Sequence, residues 1–380
     1  MLYLDNSATT KLLPEVLETM LPYLKEEYGN PSSKFYSLAE NAKKAVDHSR
    51  QQVANLLNCR PDEVIFTGGA TESNNLIIKG VTDYYASKGN HIVTTKAEHA
   101  SVMETCLYLE TKGYRITYLD VDKYGRVNPD QLETICQKDK PILVSVIWGN
   151  NELGSLNPIN KLAEICQKHD VFFHTDATQV IGKIPINMAT SPGIQFLSCS
   201  AHKLHGPKGT GAAIIRKHRL GFKTKITPLM HGGGQEDGYR SGTSAVHNIV
   251  GFGKAAELQA ISLNQSASTL QKREAECRAL LEDIFGDIIV FNSDTSCKLP
   301  GVLNFQLLGT NNELFIKKIA KDIAISTGSA CSSDQPSHVL QAIGLTLEAI
   351  RCSYRISLDL SFKEDDLDVL RNVLTSVYAK

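Results

Sequence analysis

The sequence predicts an α/β protein: a large domain with a mainly parallel sheet between helices, and a smaller α+β domain after it. Short β-rich runs alternate with longer amphipathic stretches through the first two-thirds of the chain, the pattern of a parallel sheet covered on both faces. The segments that follow these runs are unusually polar. A long charged stretch at 253–285 then leads into a C-terminal third of different texture.

The expected strands of the large domain are 63–67, 91–95, 115–119, 142–147, 171–175, 194–199 and 211–216, each rich in Val, Ile, Phe or Thr. Between them, 72–88, 100–112 and 160–169 repeat apolar residues at helical spacing. The stretch 253–285 reads as one helix. Strands at 302–307, 323–326 and 354–358 belong to the smaller domain. The expected division is 13–256 for the large domain, with 1–12 and 257–380 forming the small one.

The 380 residues are 42% hydrophobic and 21% charged, with a net charge of −1. That is an ordinary globular composition, and it offers no electrostatic attraction to nucleic acid or to an acidic membrane. Nine cysteines are scattered without a C-x-x-C pair, which argues against a disulfide framework and against a structural zinc site. Reduced thiols fit a cytoplasmic protein. Neither a signal peptide nor an apolar run long enough to span a membrane is visible.

In an open α/β sheet, ligands gather at the carboxyl ends of the strands. The polar segments there are GGATESNN, KAEHAS, WGNNE, DATQ and SAHKLHGPKG. Gly68-Gly69-Ala70-Thr71 offers backbone N–H groups and a hydroxyl at a helix start, a seat for phosphate; alone, it is equally an ordinary helix start. Asp176 closes a buried strand. It caps the next helix, or it is the acidic partner of a pyridinium nitrogen, as pyridoxal 5′-phosphate (PLP) requires. Lys203 follows an apolar strand among small and glycine-rich residues, a setting that suits a Schiff-base amine. His202 and His205 lack a third ligand at metal spacing, so no metal is expected. Cys331 sits in ISTGSACSSDQP, a run too polar to build a core, where a thiol is exposed and reactive.

Taken together, these motifs resemble the cysteine desulfurases, PLP enzymes of the fold-type I aminotransferase superfamily. The resemblance runs from YLDNSATT at 3–10 to SYRISL at 353–358 and includes GGGQE…RSGT and TGSAC. It implies that Lys203 carries PLP as a Schiff base, that Asp176 pairs with the ring nitrogen and that Gln179 bonds the ring hydroxyl. His99 would stack on the ring and move protons. Ala70, Thr71, Ser200 and His202 would hold the phosphate side, joined by Thr243 from the other subunit of a homodimer. Asn151 and Arg355 would grip the carboxylate of L-cysteine, and Asn151 would also touch the cofactor. Cys331 would be the nucleophile that takes the sulfur as a persulfide and passes it to an acceptor protein.

The sequence departs from the family pattern at Lys34-Phe35-Tyr36, at Asp237 after GGGQE, at Asp359 in place of Gly, and in a shorter segment after Cys331. The competing readings are a transaminating or selenocysteine-specific enzyme on the same scaffold, and a non-catalytic subunit that keeps the fold. Thr327 to Gln335 is expected to open at little cost and swing Cys331 between pocket and acceptor.

Overall fold

The computed structural model describes residues 1–217, 221–327 and 335–378. In chain order the first elements are β1 (Leu2–Tyr3), α1 (Pro14–Lys25), α2 (Ser37–Leu57), β2 (Val64–Thr67) and α3 (Ala70–Tyr84). There follow β3 (His91–Thr95), α4 (Ala100–Glu110), β4 (Arg115–Leu119), α5 (Pro129–Asp139), β5 (Leu143–Ser145) and α6 (Ile159–Lys168). Next come β6 (Phe172–Asp176), β7 (Phe196–Ser200), β8 (Gly211–Ile215) and α7 (Val246–Phe285). The last third holds β9 (Ile289–Phe291), β10 (Val302–Leu307), α8 (Asn312–Ile319), β11 (Ile323–Ala324), α9 (His338–Ala342), α10 (Leu347–Arg351), β12 (Ser353–Ser357) and α11 (Glu364–Tyr378).

The main sheet has seven strands in the order β2-β8-β7-β6-β5-β3-β4. Every pair is parallel except those of β8, which runs antiparallel to both β2 and β7. The residues of β2, β3, β5, β7 and β8 are buried throughout, as expected for strands covered on both faces. One face packs Val64, Phe66, Val93, Val144, Phe173 and Leu197 against the largest core cluster. The other face packs Ile65, Ile92, Leu143 and Phe196 against α3 and α4.

The expected helix at 253–285 begins at Val246. Gly251 and Gly253 lie inside it because neighbours leave no room for a side chain. A Cβ on Gly251 would stand 2.6 Å from Met20 Sδ, and one on Gly253 would stand 2.7 Å from Ser49 Cα. Close approach of α1 and α2 therefore selects glycine despite its helix cost of about 1 kcal/mol. The expected strand at 142–147 shortens to Leu143–Ser145, because the chain leaves the ladder to form the cavity wall. Helices α1, α2 and α5 were not among the expected elements. Much of the inner face of α2 is made of the small residues Ala39, Ala42, Ser49 and Ala54, with Val46, Val53, Leu56 and Leu57 beside them, which weakens its apolar contrast.

The smaller sheet has the order β12-β10-β9, all antiparallel. Its core gathers Leu281, Phe285, Phe305, Phe315, Tyr354 and Ile356. The N-terminal segment belongs with this part: β1 pairs with β11, and Leu4 lies in the same cluster.

Candidate active site

The carboxyl ends of β2, β3, β5, β6 and β7 open onto one cavity of about 930 Å³, a size that suits a cofactor and a small substrate together. Ala70, Thr71, His99, Asn151, Asp176, Gln179, Ser200, His202, Lys203 and Arg355 all line it. Thr243 does not; it is exposed on the chain's own surface. Cys331 and the expected swinging segment fall largely within 328–334, outside the described residues.

Asp176 ends β6 and is nearly fully buried. Its Oδ2 accepts from Asn74 Nδ2 at 2.8 Å, and its Oδ1 accepts from the Thr178 backbone N–H at 2.9 Å. Asn74 also donates to Ser101 Oγ at 2.9 Å. Ser101 in turn meets His99: its backbone N–H donates to His99 Nδ1 at 3.1 Å, and its Oγ lies 2.8 Å from the same nitrogen. An N–H can only donate, so Nδ1 is the acceptor and the neutral ring carries its proton on Nε2. Burial, with smaller contributions from Lys203 and His338, pushes His99 below its ordinary value; Asp176 opposes this. One continuous network thus fixes both the carboxylate and the imidazole.

Lys203 lies in the short turn after β7. Its amine donates to the backbone carbonyls of Ser7 and, at 2.7 Å, of Ala8. The same N-terminal segment holds the rest of the turn. Thr9 Oγ1 lies 3.1 Å from His202 Nδ1, Thr10 Oγ1 donates to the His202 carbonyl at 3.0 Å, and it accepts from the His205 backbone N–H at 2.8 Å. Burial, then the cations Lys203, Lys208 and Lys183, lower His202 to about 4, so its ring is neutral at physiological pH.

Arg355 stands on β12 and is 1% exposed. It donates to Asp5 Oδ1 at 2.6 Å and to the Asn151 carbonyl at 3.0 Å. Asp5 therefore holds the guanidinium at the cavity wall. Two further acids line the cavity. Glu98 is fully buried; burial raises it to about 8, although Thr95 Oγ1 and the Ile147 N–H both donate to its Oε1. Glu152 is likewise raised by burial, and its Oε2 accepts from Ser337 Oγ at 2.5 Å.

Asn74, Ser101, Asp5, Ser7 and Glu98 were not among the expected site residues. Each sits inside a motif that drew attention for a neighbour: Asn74 in GATESNN, Glu98 and Ser101 in AEHAS, Asp5 and Ser7 in LDNSATT. Among the described residues no cluster of three metal-ligating side chains forms.

The donor set fits PLP. The N-terminus of the fifteen-residue α3, with Thr71, Ser200 and the neutral His202 beside it, suits a phosphate. Lys203 offers an amine and Asp176 a buried carboxylate. The buried Ser7 Oγ and Thr178 Oγ1, both on cavity residues, have no hydrogen-bond partner among the described residues, so polar groups of a ligand have partners waiting.

The chain matches the family Aminotransferase class-V over residues 2–370. It is 42% identical to the cysteine desulfurase IscS of Dictyoglomus turgidum, over 100% of this chain and 94% of the relative. Among solved structures, a NifS-like protein superposes with a TM-score of 0.92 at 33% identity, covering 100% of this chain and 99% of the other. A structure described as SspA in complex with cysteine has a TM-score of 0.83 at 35% identity, covering 94% and 99%. With a family match across nearly its whole length and relatives of this closeness, the chain belongs to the class-V aminotransferases and, among them, to the cysteine desulfurases.

Proposed function

We propose that the cavity binds PLP on Lys203 and takes L-cysteine, releasing L-alanine and leaving the sulfur as a persulfide on Cys331. The observation that carries this reading is the convergence of the Lys203 amine, the networked Asp176 and His99, and the buried Arg355 on one cavity. PLP, when bound, supplies the electron sink for the bonding pair at the substrate Cα.

The chain's own residues do the rest. Arg355 binds the substrate carboxylate through its planar fork of donors, and Asn151 closes the same end. Asp176, held by Asn74 and Thr178, would face the pyridine nitrogen, and Gln179 would donate through its amide to the ring oxygen. Lys203 takes the proton from Cα, and His99 returns one from Nε2, the nitrogen that carries the ring proton because Nδ1 accepts from the Ser101 N–H. Cys331 attacks as a thiolate, which is the nucleophilic form. Its sulfur bonds to the substrate sulfur as the Cβ–S bond breaks. Cβ keeps the electron pair and gains a proton, so cysteine and a thiol become alanine and a persulfide with nothing left over.

The reading extends to the assembly. Thr243 would reach the phosphate of a second copy across a homodimer. Two salt bridges support a firm platform for it: Arg50 with Glu236 at 2.7 Å, and Arg240 with Glu72 at 2.9 Å, hold the segment before it to α2 and α3. A sulfur-acceptor protein would then take the persulfide. A cytoplasmic setting fits the eight described cysteines, all free, and no described helix is long and apolar enough to cross a membrane. The division at 13–256 against 1–12 and 257–380 is supported by the separate core around Phe285 and Tyr354, although α7 passes through residue 256 without a break.

The test is mass spectrometry of the protein after incubation with PLP and L-cysteine, with alanine measured in parallel. One added sulfur on Cys331 is expected, and Cys331→Ser should bind PLP yet carry no persulfide. Sulfur on a different cysteine in the wild type would overturn the assignment.

A further inference from the structure

We infer that Lys183 is a positioning residue of the reactive centre: it locks the Gln179 amide in one orientation and sets a second cation behind Lys203, with Asp359 as its counter-charge. The inference rests on the cofactor reading of the cavity proposed above.

The local fold brings Lys183 back onto Gln179. Gly182 adopts φ +71°, the left-handed region that favours glycine. A Cβ there would also press on Gln259 and Leu204, at 3.1–3.3 Å. The turn lets Lys183 Nζ donate to Gln179 Oε1 at 3.1 Å. On its other side, Gln179 Nε2 donates to the Ser7 carbonyl at 2.9 Å, the same oxygen that receives the Lys203 amine. An ammonium can only donate and a carbonyl can only accept. The two together leave one orientation for the amide, with its NH2 group on the side of Ser7 and Lys203. Gln179 is nearly fully buried, so losing Lys183 would take away the donor that Oε1 has in the fold.

The charges around Lys183 come from several elements. Lys203 and the neutral His202 lie beyond β7, Arg355 on β12, and Asp359 just after it. Burial first, then Lys203 and Arg355, lower the Lys183 ammonium to about 7, while Asp359 opposes them. Asp359 is partly shielded and also stands 3.9 Å from His205 Nε2. Lys183, behind the cavity wall, and Lys203, in the cavity, thus oppose each other's positive charge, and Asp359 offsets this at Lys183.

The experiment reconstitutes the wild type, Lys183→Met, Lys183→Arg, Asp359→Asn and Lys203→Ala with PLP, and follows the visible absorbance of the bound cofactor against pH. The wild type should titrate over a wider range than one proton. Lys183→Met should narrow this to a one-proton curve and raise its midpoint by about half a pH unit, since a neighbouring cation no longer opposes protonation. Lys183→Arg should restore the wild-type direction, and Asp359→Asn should lower the midpoint. A Lys183→Met curve that overlays the wild type, or an Asp359→Asn shift in the same direction as that of Lys183→Met, overturns the inference. Should Lys183→Met fail to fold, Asp359→Asn decides alone: a lowered midpoint supports the inference, and an unchanged or raised one defeats it. A wild type that takes up no PLP defeats the cofactor reading and this inference together. A Lys203-dependent colour that ignores both Lys183 and Asp359 defeats this inference only.

Discussion

The two walls of the cavity are built in different ways. The sheet wall draws Thr71, His99, Asp176 and Lys203 from the ends of neighbouring strands, and its network runs between side chains that the sheet brings side by side. The opposite wall brings Arg355 from β12 to Asp5 near the N-terminus, 350 positions away in sequence. Segment 5–10 laces the two walls together, through Arg355 at one end and the Lys203 turn at the other. The sheet wall is rigid because its strands are buried on both faces. Among the described residues, the Arg355 wall is held by the Asp5 ion pair and the Asn151 carbonyl, on a buried β12 that pairs with β10. In the reading proposed above, the chemistry sits on the first wall and recognition of the substrate carboxylate on the second.

This contrast can be broken most sharply at Lys203. Lys203→Ala should lose the visible absorbance of bound PLP and all measurable turnover, while circular dichroism shows an intact fold. A variant that stays coloured and turns over cysteine would show that the sheet wall does not carry the chemistry.

At the other wall the loss should appear in binding. Arg355→Ala should raise KM by a factor that corresponds to ~2–5 kcal/mol, the cost of truncating a buried charge-assisted pair. Asp5→Asn keeps the guanidinium but loosens its anchor, so KM should rise by about tenfold or less, with kcat little changed. Equal effects of the two substitutions, or a fall in kcat alone, would mean that the two walls do not divide the work in this way.

The smallest effect concerns Glu98, which the sheet wall buries as an acid. Its folded value, about 8, lies above the ordinary 4.5. Between those values the folded protein holds a proton that the unfolded chain has lost, so this group's contribution to stability falls as pH rises. Glu98→Gln has no proton to lose and keeps an oxygen for Thr95 and Ile147. Its melting temperature should gain on the wild type by about 2–4 °C from pH 6 to pH 9. A constant difference across that range would show that Glu98 is ionised in the fold.

Much of the sheet wall was legible from residues alone, since a strand followed by GGATES, AEHAS or DATQ announces a polar strand end. Asp176 and Lys203 could be named that way because each lies within a few residues of the strand that positions it; His99 was named only through the family resemblance. Asn74 could not be named that way, because its importance lies in reaching Asp176 and Ser101 from another element; Ser101 is local to His99, yet only its bond from Asn74 joins it to the carboxylate. Lys183 gave no signal, since nothing in IGK tells that a left-handed Gly182 returns its amine to Gln179.

The sequence by itself determined the class of fold and the order of the main sheet's strands along the chain, and it named the reactive groups on which the proposed function rests. These follow from side-chain periodicity and from local chemistry, which act over a few residues. Only the tertiary structure decided which carboxylate faces which cation: Asp5 on Arg355, Glu236 on Arg50, Asp359 near Lys183. Those pairings depend on strand order and on where the N-terminal segment threads. They are energies between residues far apart in the chain, and no spacing along it encodes them.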